Sequence, residues 1–167
     1  TKTFAYEVCE QLGWQAPEAV VLPAGNGTLL LGAYLGFTDL LRAGVIFRMP
    51  KLIAAQAASC APLYDAFWRG VDTVAPRIWE KTAAEGIAVA NPVRGAQILG
   101  AVRESGGEII TVEEDEINSA HREMSIRGFF IEFTAAAAVA GLSKYLRNNG
   151  RNEIVVSALT GHGLKGI

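Results

Sequence analysis

Two short glycine-bearing stretches hold most of the residues able to do chemistry. The first, Pro23-Ala24-Gly25-Asn26-Gly27-Thr28, lies inside VVLPAGNGTLLLGAYLGF, residues 20–37. Apolar residues run into it and a helical pattern runs out. Gly25 and Gly27 reach backbone angles closed to other residues, and they let amides approach a ligand without side chains in the way. A helix starting near Thr28 or Leu29 would bring several backbone N–H groups and its positive end to one point. That setting suits phosphate, and Thr28 adds a hydroxyl. The loop is neither a nucleotide P-loop nor GxGxxG, because no lysine follows and the glycine spacing differs. Alone, it fits an ordinary strand-to-helix turn at least as well.

The second stretch is ALTGHGLKG, residues 158–166. The hydroxyl of Thr160 can donate to, or accept from, a ring nitrogen, while Gly161 and Gly163 keep the space beside it open. A plain turn is the equal alternative. Other candidates are sparse. Cys9 and Cys60 lack CxxC spacing and read as reduced cytosolic thiols. His121 and His162 are too isolated for a metal centre. Arg48 and Arg94 could attract a phosphate, although surface arginines are the default.

These residues need a frame. At 167 residues, with half of them hydrophobic and 19% charged, the chain can build one domain with a sizeable core. The net charge of −2 gives no case for nucleic acid, and the apolar runs are too short to span a bilayer. No signal-peptide pattern opens the chain, which points to the cytoplasm.

Short apolar runs alternate with amphipathic, helix-length segments, the mark of an α/β layer fold. Phe4, Val8 and Leu12 recur at helical spacing, closed by Gly13. Residues 19–22 read as a buried strand. Leu29, Ala33, Phe37, Leu40 and Leu41 mark a helix stripe ending near Gly44. Lys51–Ala57 is a second strand, followed by a short helix at 62–67. The pattern is weakest over 70–91, where 79–85 reads as helical. A helix over 93–104 carries Ala96, Leu99 and Val102 on one side, and Glu108–Val112 is a third strand. The acidic run 113–116 then suits a helix N-terminus, with Ile117, Ala120 and Met124 as its inner stripe. A short strand at 129–131, a helix at 135–146 and a last buried strand at 154–159 complete the reading. Four or five strands separated by helices predict a mostly parallel sheet covered on both faces, a three-layer αβα domain over residues 1–167. In such sheets ligands gather beyond the carboxyl ends of the strands, so the two glycine stretches are expected to meet at one edge.

PAGNGT, GFFIEFTAAAAVAGL and LTGHGLK, in this order and spacing, resemble the C-terminal half of the threonine synthases, members of the fold-type II pyridoxal 5′-phosphate enzymes. PKLIAAQAASCAPLY and IAVANPVRGAQILGAVRESGGEIITVEEDEI fit the same pattern, so the resemblance covers nearly the whole chain. The glycine loop is common to the superfamily, whereas TGHGLK is more specific to threonine synthases and close relatives. The resemblance implies that Gly25, Asn26, Gly27 and Thr28 hold the 5′-phosphate of the cofactor, pyridoxal 5′-phosphate. Thr160 would bond its pyridine nitrogen, and a neutral hydroxyl there leaves that nitrogen unprotonated, moderating the electron sink. It implies conversion of O-phospho-L-homoserine and water to L-threonine and phosphate, by proton abstraction at Cα and Cβ, elimination of phosphate and addition of water at Cβ. A homo-oligomer is expected.

Half of such an active site is missing from the sequence. The family's Schiff-base lysine lies upstream of the glycine loop in a segment resembling SFKDR, and the lysines here are Lys2, Lys51, Lys81, Lys144 and Lys165. The family has a lysine at the place of Lys165 that is not its Schiff-base residue. The chain is therefore expected to be the C-terminal cofactor-binding part of a longer enzyme, with no catalytic residue of its own and inactive without an N-terminal domain. Phe133 and Ala136 depart from the family's EPTSAA-like text, and Gly166 replaces a frequent aspartate. Glu132 fits a helix-start carboxylate better than a group that orients a loop near the cofactor. Asn91-Pro92 matches a family motif but reads as a turn. Two alternatives stay open: another fold-type II lyase, such as a threonine or serine dehydratase or cysteate synthase, and a free-standing non-catalytic domain.

Overall fold

Strands β1 (Ala19–Pro23), β2 (Lys51–Ala57), β3 (Glu108–Val112) and β4 (Val155–Ser157) form one sheet in the order β3-β2-β1-β4. The computed structural model describes residues 1–76, 78, 80–149 and 153–166. All three pairings are parallel, with Val21 opposite both Ile53 and Ser157, and Ala55 opposite Ile110. Parallel neighbours cannot be joined by a tight hairpin, so helices carry the crossovers. They are α2 (Thr28–Arg42), α3 (Pro62–Trp68), α4 (Gly95–Glu104), α5 (Glu114–Ile126) and α6 (Phe133–Asn149), while α1 (Thr3–Gln11) precedes β1 and packs on α2.

The two-residue period of a strand sends alternate side chains to opposite layers. Val20, Leu22, Leu52, Ala54 and Ile109 join a core with Leu30, Ala33 and Phe37 of α2 and with Ile98 and Leu99 of α4. Ala19, Val21, Ile53, Ala55 and Ile110 face the other way and pack on Tyr145 of α6, with Leu142 partly buried beside it. Both faces are thus covered, which is why β1 and β2 read as near-continuous apolar runs. Among the described residues no helix is long and apolar enough to cross a membrane.

Chain order fixes where the sheet can hold a ligand. From β1 the chain steps outward to β2 and then β3, and it returns through α5 and α6 to lie on the far side of β1. The direction of winding therefore reverses between β1 and β4. At such a switch point the segments leaving the two strands diverge and open a crevice at their carboxyl ends. The segments that leave β1 and β4 are the two glycine stretches.

Several expected details differ. The strand expected at 129–131 is a single antiparallel bridge, Ile131 to His162, because its partner is a loop and not a sheet neighbour. The last strand is shorter than 154–159, and the helix at 135–146 runs longer at both ends. On α4 the inner face is Gly95, Ile98, Leu99 and Val102, while Ala96 is exposed. On α2 it is Leu30, Ala33, Phe37 and Leu40, with Leu41 outside. Among the described residues between 70 and 91 the regular structure is one turn of 3-10 helix, Glu85–Ile87; Trp79, part of the helix expected at 79–85, lies outside the described residues.

Candidate functional site

Residues Ala24 to Thr28 turn the chain from β1 into α2. Gly27 has φ +70° and ψ 16°, a left-handed conformation, and it occupies the cap position of α2. A Cβ there would fall 2.4 Å from Ile98 Cδ1, so the position demands glycine twice, for its angles and for its space. At Gly25 a Cβ would meet Val89 Cγ2 at 2.9 Å and the Ile87 backbone at 3.0 Å. The loop is therefore clamped from behind by α4 and by residues 86–89. Gly25 and Gly27 are buried, whereas Asn26 and Thr28 are open to solvent.

Its near side is fixed by Gln56, a wholly buried polar residue in an apolar strand. The Gln56 amide donates to the Ala24 carbonyl at 3.0 Å, and its own oxygen accepts from the Tyr64 N–H at 3.0 Å. Ala24 N–H in turn donates to the Ala55 carbonyl at 2.9 Å. Sequence reasoning missed Gln56. The available signal was one amide in the run LIAAQA, where an unpartnered polar group would be costly.

The positive end of α2 is left bare. No side chain caps it, and its first turn contains no acid. A helix start leaves its first N–H groups without intrahelical partners, and these carry the positive end of the helix dipole. Here they open on a cavity of about 660 Å³ lined by Gly25, Asn26, Gly27, Thr28 and Leu29.

Thr160, Gly163 and Lys165 line the same cavity. Two stretches more than 130 residues apart therefore meet, as expected. The second is held in place by the segment before α6. Glu132 N–H donates to the Gly161 carbonyl at 2.9 Å and Gly163 N–H to the Phe130 carbonyl at 2.9 Å, on either side of the Ile131–His162 bridge. The Thr160 hydroxyl donates to Glu132 Oε1 at 3.3 Å, and Lys165 Nζ stands 3.8 Å from Glu132 Oε2. Glu132 stands immediately before α6, as expected, and its carbonyl accepts from Ala136 N–H at 3.0 Å, while its carboxylate also reaches the 160–165 loop.

The remaining wall comes from residues to which sequence reasoning assigned no site role. Ala83, Glu85, Gly86 and Ile87 form one side, from the stretch whose pattern was weakest. Phe130, Phe133 and Thr134 continue the wall, where a Cβ on Gly86 would fall 2.6 Å from Thr134 Oγ1, and His121 joins them with its ring stacked on Phe133 at 4.3 Å. Arg48 is not part of the site, since its guanidinium is used on the Ala16 and Pro17 carbonyls and on Glu18. Arg94 occupies the N-cap position of α4 with no side-chain cap bond and does not line the cavity. Asn91-Pro92 is a turn, with Gly95 N–H donating to the Pro92 carbonyl at 2.9 Å.

The donor set suits a flat heteroaromatic phosphate ester. One end offers backbone amides and an uncapped helix for an anion, and the other offers a hydroxyl for a ring atom. Comparisons with known proteins agree. Residues 1–161 match the family described as pyridoxal-phosphate dependent enzyme. The chain is 35% identical over 167 residues to the threonine synthase of Methanocaldococcus jannaschii, covering 98% of this chain and 41% of that one. It is 36% identical over 165 residues to the Synechocystis threonine synthase, again at 98% and 41% coverage. The chain thus spans about two-fifths of the length of these curated relatives. Among solved structures, the processed form of threonine deaminase isoform 2 from Solanum lycopersicum superposes with a TM-score of 0.78 at 23% identity, covering 96% of this chain and 44% of that one. Maize serine racemase gives 0.74 at 16% identity, with 97% and 46% covered. At such identities these two establish the fold, the parallel three-layer architecture of the fold-type II enzymes.

Proposed function

The chain belongs to the pyridoxal-phosphate-dependent enzyme family, and from that premise we propose that it is the cofactor-gripping part of an enzyme converting O-phospho-L-homoserine and water to L-threonine and phosphate. The observation that carries this reading is the meeting of PAGNGT and LTGHGLK in one cavity at the switch point. The similarity to threonine synthases along the whole chain supports the choice of substrate.

In this reading the backbone N–H groups of Gly25, Asn26, Gly27 and Thr28 hold the 5′-phosphate, and the Thr28 hydroxyl adds a donor. Thr160 meets the pyridine nitrogen. Bound there, pyridoxal 5′-phosphate supplies the electron sink that acidifies hydrogens next to the amino group of the substrate. Gln56 holds the loop carbonyl so that the amides face the cavity, and Phe130 and Phe133 shield one side from water.

The lysine that anchors the cofactor covalently is supplied by a preceding domain, and this chain is inactive without it. Lys165 is the lysine of the cavity wall, but it faces Glu132 and is largely exposed. Borohydride reduction of the 167-residue chain mixed with cofactor should leave no stoichiometric adduct on one lysine; such an adduct on Lys165 would refute this assignment. The decisive assay uses the full-length gene product with O-phospho-L-homoserine. Threonine and phosphate in equal amounts are expected. Formation of a 2-oxo acid and ammonia from threonine or serine would instead identify a dehydratase.

A further inference from the structure

Helix α1 is seated on α2 at a range that leaves no room for side chains. On α2, Gly32 and Gly36 lie about one turn apart and are buried. A Cβ on Gly32 would fall 2.3 Å from Thr1 Oγ1 and 2.4 Å from Thr1 Cβ. A Cβ on Gly36 would fall 2.5 Å from the Lys2 carbonyl oxygen and 2.7 Å from Ala5 Cβ. Neither glycine has a positive φ, so both serve for space and not for angle.

The seat is fastened at both ends. Asp39 of α2 accepts from Lys2 Nζ at 2.7 Å and from the Tyr6 hydroxyl at 2.8 Å. Beyond the far end of α1, Trp14 takes a left-handed φ of 62°, and its N–H donates to the Cys9 carbonyl at 2.6 Å. Arg48 then holds the Ala16 and Pro17 carbonyls and the Glu18 carboxylate. Ala5 and Cys9 are wholly buried between these ties. The helix that receives α1 is the one whose first amides open on the cavity. Thr28 begins it, and Gly32 stands about 6 Å further along its axis.

In the reading above, on which this inference rests, the anchoring lysine belongs to a preceding segment that joins this chain through Thr1. We propose that the α1–α2 seat sets where that lysine stands relative to the anion loop. Gly32 and Gly36 are then positioning residues. One rigid helix carries both registrations, the phosphate on its first turn and the entering chain on its second. Anchoring bonds the lysine nitrogen to the aldehyde carbon of the cofactor, and the aldehyde oxygen leaves as water. Such a step needs its atoms within about 3–3.5 Å, and a displacement of about 1 Å slows it by up to about a hundredfold.

The test uses the full-length gene product and a compensating pair of substitutions. Gly32→Ala should push Thr1 off α2, and Thr1→Gly should make room for the added carbon. In Gly32→Ala the rate at which cofactor becomes fixed to the upstream lysine, trapped with borohydride and read by intact mass, should fall about tenfold or more. Turnover of O-phospho-L-homoserine should fall with it in kcat and not in KM. Affinity for pyridoxine 5′-phosphate, which has the ring and the ester but no aldehyde, should stay at the wild-type value. Adding Thr1→Gly should recover most of the rate. It should not rescue Gly36→Ala, whose new carbon meets the Lys2 backbone. Gly100→Ala on α4, where a Cβ meets nothing within 4 Å, controls for alanine in a helix and should change no reading. If Gly32→Ala does not fold, Asp39→Asn loosens the seat without a clash and should slow fixation roughly twofold; an unchanged rate there overturns the proposal. In folded Gly32→Ala, an unchanged rate overturns it, as does a slow rate that Thr1→Gly fails to recover or that comes with an equal loss of pyridoxine 5′-phosphate affinity. Wild-type protein that fixes no cofactor on an upstream lysine overturns the underlying reading, and this proposal with it.

Discussion

Helices α2 and α5 both begin at the carboxyl edge of the sheet, and they treat their N-terminal amides in opposite ways. Helix α5 satisfies its own. Glu113 and Glu116 form a reciprocal capping box, with Glu113 N–H donating to Glu116 Oε2 at 3.0 Å, and Glu114 and Asp115 complete an acidic first turn. Helix α2 starts from a left-handed glycine with no side-chain cap and no acid in its first turn. Both ends carry the same partial positive charge. One sequence neutralises it internally, and the other leaves it facing a cavity. An acid at the start of α2 would add stability and would stand where the proposed phosphate sits.

The sharpest way to break the α2 side is Gly27→Ala. The added carbon would stand 2.4 Å from Ile98 Cδ1 at φ +70°. A left-handed non-glycine residue costs about 1–2 kcal/mol and overpacking about 1–3 kcal/mol, so denaturant melts should show a loss of about 2–5 kcal/mol. The full-length protein should also lose its cofactor on dialysis. Wild-type stability in this variant would mean that the loop is not clamped where the contacts place it.

Gln56→Leu removes the near-side support without touching the cavity wall. It leaves the Ala24 carbonyl and the Tyr64 N–H without their buried partners, at about 1–3 kcal/mol for each group. A net loss of about 2–4 kcal/mol is expected, with weaker cofactor binding. Hydrogen exchange should quicken in the first turn of α2 and stay unchanged in the first turn of α5. Equal quickening at both would show that Gln56 supports the sheet in general and not this loop.

The sequence made the α2 end legible because its signal is local: two glycines, a hydroxyl and the onset of an apolar stripe within a few residues. Strands β2 and β3 were equally legible, being apolar runs buried on both sides. What escaped depends on partners remote in the chain. Residues 129–131 share the composition of a strand, yet their backbone bridges the 161–163 loop at Ile131–His162 and joins no strand of the sheet. Glu132 could not be assigned to Thr160 without knowing that Gly161 leaves room for its carboxylate. The inner face of α4 was misread at Ala96 because small residues fit equally inside or outside. The 83–87 wall escaped altogether; it follows no period, and packing against its neighbours gives it shape.

A finer change makes α2 more like α5. Asn26→Asp places an acid in the loop at a solvent-open position of the cavity wall, with almost no change in volume. Charge repulsion near a helix end is worth about 0.3–1 kcal/mol at such an exposed position, so binding of pyridoxal 5′-phosphate should weaken by roughly two- to fivefold. Pyridoxal, which lacks the phosphate, should bind the variant and the wild type alike. If both ligands weaken equally, the loop grips the ring and not the ester, and the assignment of the two ends must be exchanged.

The complementary change strips α5 of its cap. Glu113→Ala removes the side chain that accepts from the Glu116 N–H and leaves that amide to water. Loss of a helix cap costs about 1 kcal/mol, and the exposed position allows solvent to compensate part of it. A small drop in melting temperature is expected, with cofactor retention and its phosphate dependence unchanged. The contrast with Asn26→Asp is the informative result, because the two variants change charge by one unit each at helix starts on the same sheet edge. If removing the α5 cap lowered phosphate affinity as much as adding an acid at α2, the relevant quantity would be the summed field of the edge. If only α2 responds, binding is set by the local amides of residues 25–28, and the bare helix end is the part of this fold that recognises the anion.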